Sequence, residues 1–302
     1  MNSITYLKRI FPLRAAIIAL AMGLVIGGVA STALPSSAQE PPALLPLLPP
    51  LHIVTFQVEA AAAAQYDEAL TVLDFEPNAA TYERRHDGMA FFSVVDGAVT
   101  LRKDAKDTVY TKGQSFRQDP GAYYSIANKT SAKARIITTT LTSPGSAAEA
   151  NHPDAVRPAI LPTIAFFGKA TFNSVSARFS HNHAIFEFPP RGGSGAHIHP
   201  AGQGIQIVMS GEVRQRLLTG DVLLKPGDVF IDVPNRPVSH ENAGSQGQVS
   251  VVAYIFAPGP PAALPAVIPG VMPLPAPAAP GAAPAPPAPA ISPPRTGDGG
   301  LK

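Results

Sequence analysis

Four side chains in the C-terminal half carry the donor types of a transition-metal site. The stretch Gly195-Ala196-His197-Ile198-His199-Pro200-Ala201-Gly202-Gln203 sets two imidazoles one residue apart. On a strand, alternate side chains share a face, so His197 and His199 project together while Ile198 points the other way. A Pro-Ala-Gly turn then lets the chain reverse, and the amide oxygen of Gln203 is expected to arrive as a third ligand. Further on, Pro234-Asn235-Arg236-Pro237-Val238-Ser239-His240 brings another imidazole just past a turn. Three imidazoles and one amide oxygen fill part of an octahedron and leave positions for water, oxygen or a chelating substrate. Because Gln is neutral, an ion held this way keeps its full double charge, and it should act as a Lewis acid that prefers anionic ligands. Mn(II), Fe(II), Ni(II) and Zn(II) all suit such donors, since geometry and availability decide among them more than affinity does.

Other candidates have plainer readings. A solvent-facing strand explains any single His-x-His, and only the combination with Gln203, His240 and the Gly and Pro turns selects the ligand reading. His181 and His183 repeat the spacing with no partner motif after them, so they read as part of a hairpin near a barrel mouth. Arg214 and Arg216 share a strand face, where they either orient an anionic substrate or belong to a solvated sheet surface.

The elements that must position these groups are strands. Short runs rich in Val, Ile, Thr, Phe and Tyr, such as residues 90–95, 98–102, 134–141, 204–209, 229–233 and 249–256, are broken at regular intervals by Gly, Pro, Asn and Asp. That pattern predicts an all-β sandwich or barrel. Besides an N-terminal signal helix, a helix over residues 60–69 is the one helical expectation. The two halves echo each other. Residues 91–100 match 205–214 as strand, Gly turn and strand, residues 112–116 match 225–230, and Asn128 matches Asn242. The repeat sets a linker at 144–162 between domains at 51–143 and 163–257, each long enough for one small core.

The spacing from His197 to Gln203, with Gly211, Gly227, Pro234 and His240, resembles the two motifs of the cupin superfamily. The resemblance implies two jelly-roll β-barrels and places His197, His199 and His240 on histidine-ligand positions. His-x-His-Pro-x-Gly-Gln resembles in particular the small manganese cupins of the oxalate-decarboxylase-like type, which implies Gln203 as a ligand and favours Mn(II) or Fe(II). The first half resembles a cupin whose site has decayed, with Glu83-Arg84-Arg85-His86 where the His-x-His would fall and Tyr124 where the later His would fall. What the resemblance implies is a metal-dependent, dioxygenase-like or decarboxylase-like enzyme on a small oxygenated organic acid or phenolic compound. The alternative is a non-catalytic module that binds or senses a small, anionic molecule.

The ends of the chain read as something other than fold. Lys8, Arg9 and Arg14 precede an apolar run over residues 15–30, and Ser36, Ser37 and Ala38 follow. That order predicts a signal peptide over 1–38 and a secreted or periplasmic protein; an uncleaved anchor facing outward is the alternative and the one route to a membrane. Residues 39–50 read as a linker, and 258–302 as a disordered Pro/Ala-rich tail. Without residues 1–38 the chain carries 20 basic against 21 acidic side chains, which leaves no electrostatic footprint for nucleic acid. With no cysteine, disulfides and thiolate ligands are excluded. Exposed sheet edges make a homodimer one assembly open to it.

Overall fold

The computed structural model describes residues 52–59, 65–146, 149–173, 178–258, 260, 263–271 and 273. The expected signal segment over 1–38, the expected linker over 39–50 and most of the expected tail lie outside the described residues. Within them, all regular structure is β. In the first half the strands are β1 (His52–Glu59), β2 (Gln65–Phe75), β3 (Arg84–Arg85), β4 (Met89–Asp96), β5 (Ala98–Lys103), β6 (Lys106–Thr111), β7 (Ser115–Gln118), β8 (Ser125–Ala127), β9 (Ala134–Thr142) and β10 (Ala150–Asn151). In the second half they are β11 (Thr163–Asn173), β12 (Arg178–Phe188), β13 (His197–Ile198), β14 (Gly202–Ser210), β15 (Val213–Leu217), β16 (Gly220–Leu224), β17 (Val229–Asp232), β18 (Val238–Asn242), β19 (Gln248–Phe256) and β20 (Leu264–Pro265). The helix expected over 60–69 is absent from its described part: Gln65 onward belongs to β2, where Tyr66, Leu70 and Val72 pack into sheet contacts that outweigh the alanine propensity of the residues before them.

The strands form two barrels. The N-terminal barrel consists of sheet β11-β2-β9-β4-β7 and sheet β6-β5-β8. The C-terminal barrel consists of sheet β1-β12-β19-β14-β17 and sheet β16-β15-β18-β13-β20. Each barrel therefore borrows its outermost strand from the other half of the chain. β1 pairs with β12, His52 to Ile185 through Glu59 to Arg178, and β11 pairs with β2. The domains expected at 51–143 and 163–257 thus exchange their leading strands across those limits. A lone sequence cannot display this exchange, because either edge would accept either strand. The expected linker also carries a short strand, β10, paired with β3.

The internal repeat is realised in backbone detail. A register shift falls between Val94 and Asp96 in one half and between Val208 and Ser210 in the other, each just before a glycine at positive φ, Gly97 at 68° and Gly211 at 72°. Gly113 N donates to Val94 O at 2.9 Å, as Gly227 N does to Val208 O at 2.9 Å. Asn128 and Asn242 each donate their amide to backbone carbonyls and accept an N–H two residues on, locking equivalent turns.

Three apolar layers hold the pair together. Phe75, Phe92, Phe116, Tyr124, Ile126 and Ile136 fill the N-terminal barrel. Val208, Val213, Leu224 and Phe230 fill one end of the C-terminal barrel. Between the barrels, Leu70, Val72 and Ile137 meet Ile185, Ile205, Ile207 and Val251. β9 and β14 are buried on both faces for this reason, one face toward their own barrel and one toward its neighbour. A fragment of residues 65–146, which lacks β11 and bares the β2 edge and the inter-barrel face, is expected to show no cooperative thermal transition by circular dichroism where the full chain shows one.

Candidate metal centre

The C-terminal barrel encloses a cavity of about 160 Å³ lined by Phe186, Phe188, Ser194, His197, His199, Gln206, His240, Tyr254 and Ala263. Three of the four expected ligands are here, contributed by β13, the turn after it and β18. The strand period delivers His197 and His199 to one side, with ring centroids 5.0 Å apart, and His240 stands 6.2 Å from His197. All three are buried, at 7%, 9% and 5% exposure.

Each imidazole is held by its surroundings. Nδ1 of His197 donates to the Gly195 carbonyl at 2.7 Å, which commits that nitrogen and turns Nε2 inward. The backbone of His240 is clamped to Ser194: its N–H donates to Ser194 Oγ at 2.9 Å, and its carbonyl accepts from Ser194 N at 2.8 Å. Phe230 packs on the His240 ring at 4.5 Å, and Tyr254 and Phe256 on His199 at 5.0 and 5.7 Å. Burial pushes His240 down to about 3 and also lowers His197, so both rings are neutral at physiological pH, the state in which an imidazole ligates. Nε2 of His240 has no hydrogen-bond partner. A buried, unpartnered nitrogen is costly unless something else occupies its lone pair, and the donor set suits a divalent ion. The triad is open, however: among the described residues, no three His, Asp or Glu side chains close to the spacing of a finished coordination shell.

Gln203, expected as the fourth ligand, does not line the cavity of this triad. Its amide Nε2 donates to Tyr66 Oη at 2.6 Å and to the Asn173 carbonyl, and the side chain lines a second cavity, with Thr171, Pro200 and Val233, on the other side of the wall. The reason is strand parity. Along β14, Gln203, Ile205 and Ile207 face the neighbouring barrel, whereas Gly204, Gln206 and Val208 face inward. The inward place next to Gln203 therefore belongs to Gly204, where a Cβ would lie 2.0 Å from the Ala253 carbonyl oxygen.

Of the two readings of Arg214 and Arg216, their place in the structure is that of a sheet surface. They lie on the outer face of β15, where Arg216 donates to Glu241 at 2.8 and 3.1 Å and both approach Asp221, while Gln215 between them is buried and pairs in register with His240. Neither arginine reaches the cavity. His181 and His183 are not at a mouth but in the inter-barrel layer, fully buried: His181 stacks on Phe91 at 4.4 Å, and His183 bonds Ser93 and Thr139 at 2.8 Å each. In the N-terminal barrel, Tyr124 is fully buried beside His86, ring centroids 5.7 Å apart, amid the aromatic core.

The expected tail is folded at its start. β20 pairs with β13, Leu264 to Ile198 and Pro265 to His197, while Ala266 N donates to the Ala196 carbonyl at 3.0 Å and Ile268 is buried. Disorder from residue 258 onward is thereby corrected for 263–271 and 273. Leu264, Ile268 and Val271, branched residues among the prolines, were the signal in the sequence, and the open edge of β13 is what residues 264–266 cover. Gln206 and Ser194, the polar cavity groups that ligand spacing overlooks, were findable by strand parity and by the Gly-rich run before His197.

Fold and site together define a double jelly-roll protein with one packed barrel and one histidine-lined barrel. Residues 71–140 and 184–255 each match the Cupin domain family, one match per barrel, and the chain is a two-domain cupin. No curated protein matches it. Among solved structures it is similar to Lactobacillus farciminis oxalate decarboxylase in its formate complex, with 13% identity, TM-score 0.45, and 68% of this chain and 81% of that one covered. It is also similar to salicylate 1,2-dioxygenase from Pseudaminobacter salicylatoxidans, with 12% identity, TM-score 0.39, and 63% and 71% covered. A third is vicilin from Solanum lycopersicum, with 13% identity, TM-score 0.46, and 63% and 74% covered.

Proposed function

We propose that the C-terminal barrel holds one divalent transition metal through His197, His199 and His240, with Mn(II) or Fe(II) favoured over Zn(II) and Ni(II). On this reading the chain is an exported enzyme with a dioxygenase-like or decarboxylase-like activity on a small oxygenated organic acid. The observation that carries the reading is the convergence of three buried imidazoles, one with an unpartnered Nε2, on a single small cavity. Bound there, the metal would supply Lewis-acid chemistry or, as iron, redox chemistry. The chain's own groups do the rest. Gly195 and Ser194 fix His197 and His240, Phe186, Phe188 and Tyr254 keep bulk water out, and Gln206 and Ser194 offer hydrogen bonds to a substrate oxygen. A volume of about 160 Å³ is roughly five water volumes at ~30 Å³ each. It lies below the ~300 Å³ at which drug-sized pockets begin, which favours a small acid over an extended phenolic.

The non-catalytic alternative is favoured by one observation: among the described residues that line the cavity there is no Lys, Asp or Glu, and the nearest carboxylate, Asp232, is tied to the Tyr254 hydroxyl rather than free to act as an acid or base. The full chain loaded with Mn(II) or Fe(II) is expected to consume oxygen or release carbon dioxide with small mono- or dicarboxylic acids and to ignore bulky phenolics. Metal binding and ligand retention without turnover across such acids would establish the binding module instead, and a purified chain that takes up no metal would end both readings.

A further inference from the structure

Asp232 ends β17 and is only 2% exposed. It stands in register with Gly204, which in turn is in register with Tyr254, so the three form a row across neighbouring strands on the inward side of the wall. The middle member has no side chain, and the Ala253 carbonyl leaves no room for one. The carboxylate from the flanking strand faces the vacated space: Asp232 Oδ2 is 3.9 Å from Nε2 of His199 and accepts a hydrogen bond from the Tyr254 hydroxyl, itself part of the cavity wall. Arg236 lies 3.8 Å from Oδ1, but it donates to the Ile231 carbonyl. A carboxylate serving only as an ion-pair partner would not need to face the imidazoles. The unpartnered Nε2 of His240 lines the same cavity and independently points to an absent ion.

We infer that Asp232 is the fourth protein ligand of the ion, in the role the sequence spacing assigns to Gln203, with Tyr254 as the residue that orients it. This rests on the metal reading above and changes its electrostatics. One carboxylate offsets one of the two metal charges, so the loaded centre attracts an anionic substrate less strongly than a three-imidazole, one-amide site would.

The test is Mn(II) titration of the full chain, followed by electron paramagnetic resonance, on wild type, Asp232→Asn, Tyr254→Phe and His197→Ala. Wild type should bind one Mn(II) and His197→Ala none at the same concentration. Asp232→Asn should bind at least ~10-fold more weakly, with a changed spectrum, and Tyr254→Phe should fall between it and wild type. Wild-type chain labelled with carboxyl-¹³C aspartate should show magnetic coupling of the bound Mn(II) to a carboxylate carbon, a measurement that holds even if Asp232→Asn fails to fold. Mn(II) bound with no such coupling, or with undiminished affinity in Asp232→Asn, overturns the assignment while the three-histidine centre stands. No Mn(II) bound by wild type overturns both.

Discussion

Replacing His240 by leucine is expected to abolish metal-dependent stabilisation while leaving the metal-free protein at least as stable as wild type. The two halves of this expectation have one cause. In the metal-free chain, His240 buries a nitrogen that no protein group bonds, and an unsatisfied buried polar atom costs about 1–3 kcal/mol. Leucine removes that atom and keeps apolar volume against Phe230, which packs on the ring at 4.5 Å. In the loaded chain the same nitrogen completes the triad, and a ligand at one hundred times its dissociation constant stabilises the folded state by about 2.7 kcal/mol. Thermal melts with and without Mn(II) separate the two: wild type should shift upward with metal, and His240→Leu should melt at or above metal-free wild type with no shift. An equal metal-induced shift in the variant would sink the assignment of His240. A stability gain on loss of a functional group is what a site kept for chemistry predicts.

The second large effect concerns pH and lies between the barrels. Glu68 on β2 and His181 on β12 are both fully buried, with Oε1 and Nε2 3.4 Å apart and no other hydrogen-bond partner for either group. Burial raises Glu68 well above the usual carboxylate range and lowers His181 to about 3. The titratable neighbours include His183, whose ring nitrogens are engaged by Ser93 and Thr139, and Tyr66 and Tyr254, both pushed up by burial and by Glu68. The folded pair thus keeps one proton over a wide range. Unfolded, Glu titrates near ~4.3 and His near ~6.5, so between those values the unfolded chain also holds one proton and the pair adds no pH dependence. Below about 4.3 the unfolded state takes a second proton that the folded pair refuses, and stability falls as pH falls. Above about 6.5 the unfolded state has released the proton that folded Glu68 keeps, and stability falls as pH rises.

Glu68→Gln removes the raised group and leaves only the lowered one. Its folded His181 still refuses a proton that the unfolded chain accepts below about 6.5, so acid destabilisation should begin roughly two pH units earlier than in wild type, with a slope of up to about 1.4 kcal/mol per unit. The alkaline decline that folded Glu68 causes should be absent from the variant's profile. Urea unfolding of both chains from pH 4 to 9 measures this, and parallel profiles would mean that the pair shares no proton.

How far the sequence could be read depended on how local each feature is. The hairpin glycines, the paired asparagines and the alternating strands are short-range constraints, and Gly97 with Gly211 or Asn128 with Asn242 sit in equivalent turns, as the repeat implied. His197 and His199 share a face because two residues on a strand must. Gln203 lies past a turn, where the parity of the next strand is set by the β14 ladder with β17 and β19 rather than by spacing from His199. Asp232 gains its place only through its cross-strand register with Gly204, which no run of residues announces.

The amino-acid order by itself determined that this is a pair of β-barrels with one imidazole-bearing half, because period, turns and donor types are written within stretches of a few residues. Tertiary structure alone decided which leading strand completes which barrel, which side of β14 faces the cavity, and that a stretch of the proline-rich end closes the edge of β13. These are choices among partners far apart in the chain, and they are settled by which sheet edge and which buried face each segment can satisfy.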